Sequence, residues 1–170
     1  IELCLVGSEM CIRDSPYTPP VTLLRGLRAS VDMLLDEGLD NVTHRHNRLA
    51  EGVRRAVTAW GLNNCAQEAQ WHSDTVTAIK MNEGQDANAV IQTAYHDYKV
   101  SLGAGLSVLN GKVFRIGHLG WLNETMVLQA LGGVELAMRK VGVAFEAGSG
   151  VGAAIDFYTE TAASNKMAAE

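Results

Sequence analysis

The feature that most constrains the fold is a change of hydrophobic period along the chain. Val21, Leu24, Leu27, Val31, Leu34 and Leu35 recur every three or four residues, whereas Thr75-Val76-Thr77-Ala78-Ile79-Lys80-Met81 carries β-branched residues in alternation. The first pattern lays an apolar stripe along a helix and the second faces a strand toward a core, so the chain must pack helices on sheet. Thr18 suits an N-cap, Pro19 and Pro20 suit a first turn that needs no N–H, and Gly38 suits the C-terminal stop. Asp40 can cap a second helix, in which Val42, Leu49, Val53, Val57 and Trp60 share a face before Gly61 ends it. The two helices are expected as an adjacent pair.

Asn63 and Asn64 fall in a connection with no assigned structure. After Gly84 and Asp86, a helix is predicted from about Ala87 to Tyr98, with Val90, Ile91, Ala94 and Tyr95 as its support. Val100 to Leu102 and Val113 to Ile116 are short strand candidates, separated by Gly103, Gly105 and Gly111. A last helix starts near Asn123, whose amide can cap it, and places Met126, Val127, Ala130, Leu131, Val134, Met138 and Val141 on one face. The order is helix, helix, strand, helix, strand, strand, helix. It predicts an α/β (α+β) layer: a short, largely antiparallel sheet covered by helices on one face.

Composition narrows the partners. At 170 residues, 47% hydrophobic and 19% charged, the chain has enough apolar surface for an ordinary core. A net charge of −5 and a pI near 5.5 give no reason to expect nucleic acid or an anionic membrane. No run approaches the roughly 18 apolar residues of a spanning helix, and no secretory signal opens the chain, so a cytoplasmic protein is expected. Cys4, Cys11 and Cys65 form no paired framework and lack metal-ligand spacing with histidine; free thiols and no metal are expected.

Chemistry-bearing patterns are sparse. His44 and His46 are two apart on a helix and point in different directions, where a metal pair wants three or four. Gly103-Ala104-Gly105 resembles part of a phosphate loop, but no helix N-terminus follows at the required distance. No Ser-His-Asp or Cys-His arrangement stands out. The segment Gly111-Lys112-Val113-Phe114-Arg115-Ile116-Gly117-His118-Leu119-Gly120 is different, because it sets one arginine in an apolar run between glycines. Period-two geometry puts Arg115 opposite Phe114 and Ile116. Three readings stay open from the residues: a charge on the outer face, an ion pair with an acid such as Glu124, or capture of a carboxylate or phosphate ligand.

The first fifteen residues differ from the rest. Leu3-Cys4-Leu5-Val6-Gly7-Ser8-Glu9-Met10-Cys11-Ile12-Arg13-Asp14-Ser15 resembles a translated sequencing-adapter read-through met in proteins read from environmental DNA. Residues 1–15 are therefore expected to be non-native, with a bacterial protein continuing upstream. A buried strand from Ile1 to Val6 is the plain alternative.

Three long blocks resemble the C-terminal part of the serine–glyoxylate and alanine–glyoxylate aminotransferases, class V pyridoxal-phosphate enzymes of fold type I. The first is Pro16-Tyr17-Thr18-Pro19-Pro20 with Leu23-Leu24-Arg25-Gly26-Leu27-Arg28 and Glu37-Gly38-Leu39-Asp40-Asn41-Val42, continuing through Arg45-His46-Asn47-Arg48-Leu49-Ala50 to Ala59-Trp60-Gly61-Leu62. The second is Asp74-Thr75-Val76-Thr77-Ala78. The third joins Ser101-Leu102-Gly103-Ala104-Gly105-Leu106, the Arg115 segment, and Asn123-Glu124 to Gly133-Val134-Glu135, and Gly148-Ser149-Gly150-Val151 extends the likeness.

That resemblance implies an interdomain helix region over 16–40, a small C-terminal domain over 41–155 and a tail over 156–170. It implies homodimers, pyridoxal 5'-phosphate as cofactor, and small amino-acid and 2-oxo-acid substrates. It assigns Arg115 to the substrate carboxylate, and Thr18 and Tyr17 to the cofactor phosphate of the neighbouring subunit. Ser15 stands where relatives commonly have an aromatic residue, which weakens the phosphate assignment, and Arg25 stands where many have tyrosine. None of Lys80, Lys99, Lys112, Lys140 and Lys166 matches the family's Schiff-base lysine, so the chain alone is expected to be inactive and to contain no catalytic residue. The alternatives are a free-standing, non-enzymatic α/β module for carboxylate binding or dimerisation, and another class V enzyme such as a phosphoserine aminotransferase.

Overall fold

The computed structural model describes residues 20–167, with side chains through residue 162. Contacts divide the chain between Val42 and Thr43 into two compact units. In the first, helix α1 runs Val21–Glu37 and contains no buried residue. Its apolar stripe is exposed, with Leu24 at 50% and Leu27 at 60% of full accessibility. Pro20 occupies the cap position and its carbonyl accepts from the Leu24 N–H at 3.0 Å. Thr18, expected at the cap, lies outside the described residues, as do Tyr17 and residues 1–15. Gly38 closes the helix with its N–H on the Leu34 carbonyl and φ of +84°, a conformation that favours glycine.

Helix α2 resumes at once as Leu39–Ala59. Because Val42 N–H already bonds the Gly38 carbonyl, Asp40 falls in the first turn instead of at the cap. From Thr43 onward the second unit continues with β1 (Asn63–Asn64), β2 (Val76–Lys80), α3 (Ala87–Tyr98), β3 (Gly103–Ala104), β4 (Val113–Gly117), α4 (Glu124–Lys140) and α5 (Ser149–Met167). The Asn123 side chain caps α4 by accepting from Met126 N–H, as its position in the sequence predicts.

The sheet has the order β1-β2-β4-β3 and every pairing is antiparallel. Thr77 and Ile79 of β2 and Phe114 and Ile116 of β4 are buried. Ile79, Phe114 and Ile116 pack with Leu49 and Val53 of α2, Val90 of α3, Leu131, Val134 and Met138 of α4 and Ala154 of α5. One face of the sheet therefore meets the helices, and period-two alternation leaves Ala78 and Arg115 on the other.

Three departures from the sequence reading have local causes. Asn63 and Asn64 form an edge strand without any apolar alternation, secured by pairing to Lys80 and Ile79 and by Cys65 N–H on the Ala78 carbonyl at 2.8 Å. The strand expected at Val100 to Leu102 sits at Gly103–Ala104, because Lys99 turns left-handed (φ 58°) to end α3 and Val100 N–H returns to the Ala94 carbonyl. Residues 156–167, within the stretch read as a tail, continue α5, with Tyr158 buried and its hydroxyl donating to the Leu49 carbonyl at 2.9 Å.

Candidate carboxylate-binding site

Arg115 sits in the middle of β4, facing Ala78 of β2 on one side and Gly103 of β3 on the other. Both neighbours are small, so the arginine stem lies in a trough across the open sheet face. Arg115 is half-buried, and its Nε is shielded from solvent with no hydrogen-bond partner. A buried donor left unmet costs about 1–3 kcal/mol, so this Nε–H calls for an acceptor that the described residues do not supply. Glu124, a partner considered from the sequence, is engaged elsewhere: it pairs with Arg48.

The same domain shows how it treats charges that serve the fold. Arg48 is buried and gives Nη1 to Glu124, Nε to Thr161 Oγ1 at 2.9 Å and Nη2 to the Tyr158 carbonyl at 2.8 Å. Desolvation by burial pushes the Glu124 carboxyl up, but its own backbone N–H and Arg48 together hold it below the usual range. Burial raises the Tyr158 hydroxyl well above its ordinary value. The Glu135 carboxylate accepts from Trp60 Nε1 (2.9 Å) and from the N–H groups of Gly148 (2.7 Å), Gly150 (3.0 Å) and Val151 (3.1 Å). It thus satisfies the orphan donors at the start of α5 and complements that end of the helix dipole.

The loop after β4 is also tied down. Arg45 donates to the Gly120 carbonyl at 2.8 Å, and the Gly120 N–H donates to His46 Nε2 at 3.0 Å. His118 is 1% exposed, between the Asp74 carbonyl on Nδ1 (3.0 Å) and Thr77 Oγ1 on Nε2 (2.9 Å). The carbonyl accepts only, so Nδ1 carries the proton. Desolvation lowers the His118 pKa from 6.5, outweighing the Asp74 carbonyl bond that raises it. His46 and His118 therefore work in the fold on either side of the strand-to-helix turn that follows Arg115, a role their spacing in the sequence did not reveal.

The described residues do not by themselves cradle pyridoxal phosphate. Lys80, Lys99, Lys112 and Lys140 are exposed; Lys99 donates to the His96 carbonyl and Lys140 pairs with Asp97. Tyr17 and Thr18 are outside the described residues. A cleft of about 1050 Å³ lies at the β1 edge, lined among others by Asn64, Cys65, His72, Lys80 and Lys112, and does not include Arg115. Among the described residues no group of three or more His, Cys, Asp and Glu is placed to hold a metal, and no helix is long and apolar enough to cross a membrane.

The same helix-backed antiparallel fold is found among aminotransferases of known structure. Pyridoxamine–pyruvate aminotransferase from Mesorhizobium loti superimposes with a TM-score of 0.81 at 33% identity, covering 87% of this chain and 38% of that one. Ureidoglycine–glyoxylate aminotransferase from Bacillus subtilis gives 0.80 at 27% identity, over 85% and 37% of the two chains. No family model matches. The sequence is 54% identical over 153 residues to serine–glyoxylate aminotransferase of Hyphomicrobium methylovorum, covering 90% of this chain and 38% of the relative. It is 49% identical over 155 residues to L-aspartate–glyoxylate aminotransferase of Paracoccus denitrificans, with 91% and 39% covered. The chain is homologous to the serine–glyoxylate aminotransferases and corresponds to a C-terminal stretch of them, spanning under two fifths of their length.

Proposed function

We propose that the chain is the C-terminal part of a longer pyridoxal-phosphate aminotransferase that moves an amino group from serine or alanine to glyoxylate, and that Arg115 grips the substrate carboxylate. One observation carries the site assignment: the Arg115 Nε is buried and unpartnered, while Glu124, the acid that could have paired with it, is held by Arg48. An amino acid and glyoxylate share a carboxylate, so one fixed guanidinium fork serves both halves of a transamination. Its rigid strand mounting orients the substrate before any proton moves. The cofactor supplies the electron sink for the chemistry. Thr18 and Tyr17 are proposed to meet its phosphate across a homodimer, and the lysine that binds it is proposed to lie upstream, which leaves the chain alone inactive.

The relatives support glyoxylate as acceptor and differ in the donor, serine in one and aspartate in another. The test is to assay the chain joined to its upstream sequence, with serine, alanine and aspartate each offered against glyoxylate. Turnover with serine or alanine by the extended protein, and none by the 170-residue chain, is expected. Turnover by the chain alone, or a clear preference for aspartate, contradicts this reading.

A further inference from the structure

Gly103 belongs to a glycine pair that the proposed function leaves unexplained, since no phosphate loop forms there. Its backbone is not the reason for the glycine: Gly103 is absent from the positive-φ glycines, so any residue could adopt its conformation. Space is the reason. A Cβ built at position 103 would sit 3.1 Å from Arg115 Nε, 3.2 Å from Arg115 Cβ and 3.5 Å from Arg115 Cζ. Gly103 is the direct cross-strand partner of Arg115, and Ala78 is its partner on the other flank.

We propose that Gly103 is a positioning residue for substrate binding: the missing side chain lets the Arg115 stem lie flat across β3 and aims its guanidinium at the substrate carboxylate. This rests on Arg115 being the carboxylate clamp. Directly opposite residues on antiparallel strands ordinarily keep their Cβ atoms about 4.5–5.5 Å apart, whereas a Cβ at 103 would lie 3.2 Å from Arg115 Cβ, so the arginine would have to give by a few tenths of an ångström. The stem must then lift or swing, and the fork moves with it. Ala78 forms the second wall of the trough, where one methyl group is tolerated and a branched side chain is not.

The test uses the whole aminotransferase that carries these residues. Gly103→Ala is expected to raise KM for serine and for glyoxylate together, each about tenfold, with kcat within about threefold. Arg115→Gln raises both further, and adding Gly103→Ala to Arg115→Gln costs less than about twofold more, because the glycine acts through the arginine. If Gly103→Ala leaves both KM values unchanged while Arg115→Gln raises them, the positioning role is overturned and the clamp stands. An equal Gly103→Ala effect in both backgrounds also overturns it. If Arg115→Gln changes neither KM, the clamp and the positioning role fall together.

A readout independent of turnover is the Arg115 Nε–H signal in the nitrogen-labelled chain. It is expected to exchange slowly in the parent sequence, and to shift and exchange faster in Gly103→Ala at unchanged melting temperature. An unmoved signal contradicts the proposal. Should Gly103→Ala fail to fold, Ala78→Val closes the trough from the other side, with the same rise in both KM values expected and their constancy contradicting it.

Discussion

Arg48 and Arg115 belong to one domain and are treated in opposite ways. Arg48, on α2, spends its nitrogens on Glu124, Thr161 and the Tyr158 carbonyl, and its guanidinium lies 5.2 Å from the Tyr158 ring centre. Arg115, on the open face of the sheet, keeps a buried Nε with no partner. A guanidinium that holds a fold together is fully occupied, because burying an unmet charge is costly. The proposed carboxylate clamp accounts for the different treatment of Arg115, whose buried Nε has no partner in the protein.

The sharpest way to break this contrast is to remove each charge and ask whether stability or activity responds. Arg115→Gln removes the proposed bidentate clamp and should lower kcat/KM of the whole enzyme by about 100-fold or more, while the melting temperature holds or rises. A loss of stability with intact kcat/KM would place Arg115 with Arg48.

Glu135→Ala is the converse. It strips the acceptor from Trp60 Nε1 and three backbone N–H groups at the start of α5. A loss of about 3 kcal/mol is expected in chemical denaturation, read on the chain itself. Arg48→Met should cost about 2 kcal/mol in the same measurement, moderated because the Glu124 side chain is 40% exposed and can rehydrate. Neither number should change if glyoxylate is added.

The smallest effect is in pH. The folded pKa of His118 lies below its unfolded value near 6.5, so the unfolded chain takes up a proton first as pH falls. Stability should therefore be constant above that value and fall as pH drops below it. Glu124 is depressed from 4.5, so its contribution is present above that value and is lost lower still, as pH falls through its folded pKa. His118→Gln should flatten the first step of a melting-temperature profile and leave the second.

Much of this contrast was legible in the residues, and the part that was not has a physical reason. Periodicity located α1 to α4, β2 and β4, because each carries an apolar stripe or face that repeats. It missed β1, whose two asparagines carry no apolar signal, and α5, whose Gly-rich start depends on a carboxylate from Glu135 in another helix. Arg115 stood out in sequence because a charge interrupted an apolar strand. Whether it was paired depended on where Glu124 and Arg48 came together, and they are far apart along the chain. The trough at Gly103 was invisible for the same reason: only the β3–β4 register sets a glycine opposite that arginine.

Carboxylate recognition can be tested apart from every other substrate contact by comparing serine with ethanolamine, which has the same amine and hydroxyl and no carboxylate. In the whole enzyme, the parent sequence should favour serine by about 100-fold or more in kcat/KM, and Arg115→Gln should collapse most of that ratio. A ratio that survives the loss of Arg115 would contradict the clamp.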